Sequence, residues 1–130
     1  MRTMQVRTSL ACLILVACGS SSSPTTPDAP TADAAPATVR SVTCPPGDMP
    51  TVTTSDSADA YDPMTTIISA HGIVKFMMSA THNVGPDPVL PSDRGLRVGF
   101  GQTACLEFDQ AGTFNFQCTV HAFTGKIIVQ

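Results

Sequence analysis

Apolar and polar positions alternate with a period of two over much of the chain's second half. Val74, Phe76, Met78 and Ala80 alternate with Ile73, Lys75, Met77 and Ser79. Leu106 and Phe108 alternate with Cys105, Glu107 and Asp109, and Phe114, Phe116 and Cys118 alternate with Asn115 and Gln117. A period of two puts every second side chain on one face of a strand, so these runs predict half-buried β-strands. Gly72, Gly85, Gly95, Gly112 and Gly125, with Pro86, Pro88 and Pro91, break the runs apart. No window carries the 3.6 period of a long amphipathic helix. The pattern predicts an all-β domain, a Greek-key β-sandwich of about seven to eight short strands. Counting by twos from Val74 reaches His82, and counting from Phe114 reaches Cys118. Both side chains are therefore expected on the face that builds the core.

Upstream the alternation disappears. Arg2 and Arg7 precede an apolar run from Leu10 that ends in Leu15-Val16-Ala17-Cys18, the layout of a secretory signal over residues 1–17, too short to anchor stably across a bilayer. Cysteine at the cut resembles the lipobox of bacterial lipoproteins. That resemblance implies cleavage before Cys18, diacylglycerol on its sulfur and a protein held to a membrane of the bacterial envelope by acyl chains. Gly19 in place of a retention aspartate favours the outer membrane; the alternative is a plain signal peptide with an incidental cysteine. Residues 18–41 are mostly Ser, Thr, Pro, Ala and Asp, with Pro24, Pro27, Pro30 and Pro36 and no aromatic residue. Such a segment buries too little apolar surface to offset its ordering entropy, so it is expected to be a disordered tether. At about 3.1 Å per residue it would reach roughly 70 Å from the membrane. Residues 42–130 remain, enough for one small domain.

Without the signal, five basic residues (Arg40, Lys75, Arg94, Arg97 and Lys126) face ten acidic ones, a net charge of -5. No basic stripe exists, which argues against a nucleic-acid partner. Five of the acids fall between Asp48 and Asp87 and read as a solvated face. Cys12 leaves with the signal and Cys18 takes the lipid. In an oxidising compartment Cys44 and Cys105 are expected to pair as a disulfide; the competing reading makes one of them a metal ligand. His71, beside a glycine turn and without a nucleophile at a readable spacing, reads as an exposed turn residue. Nothing supports hydrolytic chemistry, and the chain reads as a non-enzyme.

Cys118-Thr119-Val120-His121 sets a thiolate and an imidazole three residues apart between strand-like runs, with His82-Asn83-Val84 upstream. Two histidines and one cysteine are the equatorial set of a blue copper electron-transfer site. Together with Tyr61-Asp62-Pro63, the run from Thr66 to Phe76, the run from Phe108 to Cys118 and the closing Gly125-Lys126-Ile127-Ile128-Val129, these residues make the domain resemble the cupredoxins, the plastocyanin and amicyanin group in particular. The resemblance implies one copper ion on His82, Cys118 and His121. It also implies a hydrogen-bonded clip between Asn83 and Thr119 that joins the two ligand loops, ordinary turn chemistry being the alternative for that pair.

One feature of the group is missing. Its axial methionine follows the second histidine, but the amicyanin-type position here is Thr124 and the plastocyanin-type position is Lys126. Met49, Met64, Met77 and Met78 lie upstream and read as packing residues. Threonine is too short and too hard a donor to replace a thioether, so the expected axial ligand is weak or absent. Either the copper is three-coordinate and dry behind Phe123, or water reaches it and makes a more tetragonal centre.

The leading functional expectation is a monomeric one-electron carrier, Cu(I)/Cu(II), in the bacterial envelope. A transient redox protein partner would dock on the apolar surface around Val120, His121, Ala122 and Phe123. Copper storage, delivery or stress protection would use the same ligands, and a metal-free interaction module is the third reading.

Overall fold

The computed structural model describes residues 37–130. The signal segment 1–17, the lipidation site Cys18 and the tether as far as residue 36 lie outside the described residues. Among the described residues nine strands follow one another: β1 (Val39–Val42), β2 (Thr51–Ser55), β3 (Ala58–Asp62), β4 (Thr65–Ile68), β5 (Gly72–Met77), β6 (Gly85–Pro86), β7 (Thr103–Phe108), β8 (Gly112–Gln117) and β9 (Thr124–Val129). They form a five-stranded sheet in the order β1-β7-β5-β2-β3 and a four-stranded sheet in the order β4-β9-β8-β6. Both sheets are mixed, because β2 runs parallel to β5 and β4 parallel to β9.

The core sits between the two sheets and is built by the alternation of the strands. Val74 and Phe76 of β5, Leu106 and Phe108 of β7, Phe114 and Phe116 of β8, and Ile127 and Val129 of β9 are all buried. Burying side chains of this size stabilises by roughly 1.5–3 kcal/mol each relative to exposure, the dominant favourable term.

The count of nine strands exceeds the expected seven to eight for two reasons. One is β6, only two residues long and paired with Gln117 and Phe116 of β8. The other is β1, which begins at Val39, inside the stretch read as tether. Its neighbour Thr38 is held from far along the chain: Asp93 accepts hydrogen bonds from the Thr38 N–H at 2.7 Å, the Thr38 hydroxyl at 2.9 Å and the Gly95 N–H at 2.7 Å. Burial pushes the Asp93 carboxyl up, but these donors outweigh it and hold the group below its ordinary value. Val39 then buries its side chain and β1 pairs along β7. Just beyond β1, Cys44 is disulfide-bonded to Cys105 of β7.

Candidate metal centre

The chain between β8 and β9 is a closed loop. The Cys118 N–H donates to the Phe123 carbonyl at 3.0 Å, and the Ala122 N–H donates to the Cys118 carbonyl at 2.9 Å. Turning the backbone so sharply puts Ala122 at φ 58°, a left-handed conformation uncommon for residues other than glycine. The turn brings His121 back over the cysteine, with Cys118 Sγ 3.7 Å from His121 Nδ1. Cys118 is fully buried and is the free cysteine among the described residues. Burial pushes its thiol up, yet the backbone N–H groups of Asn83, His121 and Val120 and the His121 ring outweigh that and hold it below the usual cysteine value. The sulfur is thus biased towards thiolate, the form that ligates metals.

His82 is also buried, at 1% exposure, but strand parity is not the reason. Strand β5 ends at Met77 and Ala80 is exposed, so the alternation that reached His82 has lapsed before it. A loop turns the ring inward instead, with the His82 N–H donating to the Ser79 carbonyl at 3.3 Å. The Nδ1 atom of His82 lies 3.1 Å from Ser79 Oγ, and Nε2 lies 3.1 Å from Asp59 Oδ1. A ring whose Nδ1 is occupied by a hydroxyl has its other nitrogen fixed in direction. The His82 and His121 rings meet edge to face with centroids 4.9 Å apart, and Phe123 covers His82 at 4.9 Å.

The Cys118–His121 pair fits a copper ion, whereas the donor atoms of Cys118, His82 and His121 do not all lie within 4.8 Å of one another. A thiolate at about 2.3 Å and an imidazole at about 2.0 Å from one metal, 120° apart, have donor atoms about 3.7 Å from each other, which is the Cys118–His121 separation. The two ligand loops are joined by Asn83 and Thr119: the Thr119 N–H donates to Asn83 Oδ1 at 2.9 Å, and Asn83 Nδ2 donates to Thr119 Oγ1 at 2.9 Å. Gly85 permits this close approach, since a Cβ there would fall 2.6 Å from Thr119 Cγ2. Tyr61 braces the same loop from β3, its hydroxyl donating to the Asn83 carbonyl at 2.6 Å. Burial pushes the Tyr61 phenol far above its ordinary value, so it stays a donor.

Thr124 lies at the start of β9, lining a surface cleft with Met64, Leu90, Asn115 and Lys126 rather than with the three proposed ligands. Met78 is buried in the core, with Sδ 4.0 Å from Thr54 Oγ1. His71 is exposed in the turn before β5, with Nδ1 3.5 Å from Asp109 Oδ1. The residue that the sequence reading missed is Asp59, counted there among the solvated acids. It forms with His82 and His121 a group whose donor atoms all lie within 4.8 Å of one another. The signal was present in Asp59-Ala60-Tyr61: residues two apart on a strand share a face, and Tyr61 faces the site.

No protein-family model and no curated protein matches the chain. Solved structures do. A mutant of amicyanin in its reduced Cu(I) form superposes with a TM-score of 0.56 at 20% identity, covering 72% of this chain and 99% of that one. Amicyanin from Paracoccus versutus gives a TM-score of 0.56 at 22% identity, over 73% of this chain and 100% of the other. Pseudoazurin from Methylobacterium extorquens gives 0.53 at 24% identity, over 63% and 75%. With its two mixed sheets and without any helix among the described residues, the chain has a cupredoxin-like fold.

Proposed function

We propose that the protein is a copper-binding one-electron carrier of the bacterial envelope, with His82, Cys118 and His121 as ligands. The observation that carries this reading is the buried Cys118 thiol 3.7 Å from His121 Nδ1, with the buried His82 ring packed against that imidazole. A structurally similar amicyanin is described in a Cu(I) form. Copper bound here supplies a Cu(I)/Cu(II) couple.

The residues around it serve that couple in distinct ways. Cys118 and His82, closed off by Phe123, are kept from bulk water. The Asn83–Thr119 hydrogen bonds fix the spacing of the two loops, which limits rearrangement between oxidation states. His121 reaches the surface beside Val120, which is 64% exposed, and Ala122. This small apolar edge is the surface we assign to a transient redox partner. The envelope location and the lipid anchor rest on the signal-like residues 1–17 and on Cys18. The protein transforms no substrate, and it works as a monomer.

Absorption and EPR spectra of the copper-loaded protein test the reading. A thiolate-to-copper charge-transfer band is expected, lost in Cys118→Ser and severely altered in His121→Ala, with far-UV circular dichroism unchanged in both. Variants with the parent's spectra would contradict the ligand set. A reversible couple with fast electron exchange supports the carrier role. Slow exchange with ready Cu(I) hand-off to an acceptor would point to copper delivery instead.

A further inference from the structure

Asp59 Oδ1 is 3.1 Å from His82 Nε2 and 3.9 Å from His121 Nδ1. The first distance alone is an ordinary imidazole–carboxylate hydrogen bond. The second is what gives it meaning. A carboxylate that only oriented His82 would stand apart from His121, whereas here Ser79 Oγ holds Nδ1 of His82 and Asp59 shares with His82 and His121 a group of donor atoms within 4.8 Å of one another. Asp59 lies instead on the side of the ring where His121 converges. Donor atoms about 2 Å from a shared ion and 90–120° apart are separated by roughly 2.8–3.5 Å. One of the two distances falls in that range and the other is slightly beyond it. The Asp59 side chain is 66% exposed, so the small rotation that closes the gap meets little packing.

The backbone that carries Asp59 is fastened to the first ligand loop at several points. Thr54 Oγ1 accepts from the Ser79 N–H at 2.8 Å, and Asp56 Oδ1 accepts from the Thr81 N–H at 3.2 Å and the Thr81 hydroxyl at 2.8 Å. The β2–β3 hairpin is thus tied to residues 79–81, immediately before His82. Parity along β3 places Asp59 on the face of Tyr61, whose ring packs on Phe123 at 4.7 Å. Asp59 is therefore aimed at the centre by its strand and by these ties.

We propose that the Asp59 carboxylate is the fourth donor of the metal centre, completing a set of two nitrogens, one sulfur and one oxygen where a thioether is missing. This rests on the copper reading of the same site. A hard anionic oxygen suits Cu(II) better than Cu(I), the reverse of a soft thioether. The carboxylate therefore lowers the reduction potential relative to the same site without it, and the centre is more tetragonal than a three-coordinate one.

The experiment compares copper-loaded wild type, Asp59→Ala and Asp62→Ala, reading the charge-transfer band, the EPR copper hyperfine splitting and the Cu(II) and Cu(I) affinities. Asp62→Ala removes the same charge from the same strand at a position of opposite parity. Asp59→Ala is expected to change the hyperfine splitting and to lower the ratio of Cu(II) to Cu(I) affinity by about tenfold or more. Each tenfold raises the potential by about 59 mV. Asp62→Ala is expected to leave the splitting unchanged and the ratio within about twofold, because an exposed charge is screened by solvent and salt. An Asp59→Ala protein with the parent's EPR spectrum and affinity ratio overturns the proposal, as does an equal shift of the ratio in both variants. A wild-type protein that shows no charge-transfer band overturns the copper reading, and this proposal with it.

Discussion

Phe116→Ala is expected to lower the stability of the sandwich by about 3–5 kcal/mol, the usual range for deleting a buried aromatic ring. Phe116 is fully buried in the core cluster between the two sheets. Its ring makes edge-to-face contacts with Tyr61 at 4.8 Å and with Phe76 at 5.5 Å, pairs worth about 0.5–1.5 kcal/mol each beyond the area they bury. Across from it stands Gly125, where an added Cβ would fall 2.6 Å from the ring. That position has no side chain to relax into the cavity, which places the cost towards the upper end. Denaturant unfolding measures it, and a loss below about 1 kcal/mol would mean that the ring is not the centre of the core. The same substitution removes packing from Tyr61, whose hydroxyl holds the Asn83 carbonyl. Copper spectra of the folded variant should therefore broaden even though no ligand is changed.

The second large effect is expected from the double substitution Cys44→Ala and Cys105→Ala. The bond closes a loop with a sequence separation of 61 residues, for which the chain-entropy model gives about 4 kcal/mol. For a domain of this size that is a large part of a total of about 5–15 kcal/mol. The expected result is a lower denaturation midpoint in the double variant, with no further change on adding a thiol reductant. The wild type should fall to the same midpoint once reduced. A wild type indifferent to the reductant would show that the cystine contributes little.

The class of fold was legible because sheets repeat every two residues, and the burial of Val74, Phe76, Leu106, Phe108, Phe114 and Phe116 follows that repeat. His82 was reached by extending the same count past the end of β5, through an Ala80 that turns out to be exposed. Its burial depends on a loop, and loop direction is not encoded in alternation. The start of the domain was misplaced because Thr38 is captured by Asp93, 55 residues away. A composition rich in Pro, Ser and Thr cannot reveal such a contact. Asp59 was hidden for a related reason: its meaning comes from the ties of Thr54 to Ser79 and of Asp56 to Thr81, which cross between segments about 25 residues apart. Counting acids along the chain saw only charge.

Tyr61 has one more consequence. The chain contains one tyrosine and no tryptophan, so this ring is its single natural fluorophore of practical strength. It lies on Phe116 and Phe123 and is hydrogen-bonded to the residue next to His82. Ultraviolet emission from the unlabelled protein therefore comes from one point beside the proposed metal centre. A copper titration and an unfolding curve can both be followed from that point without attaching a dye.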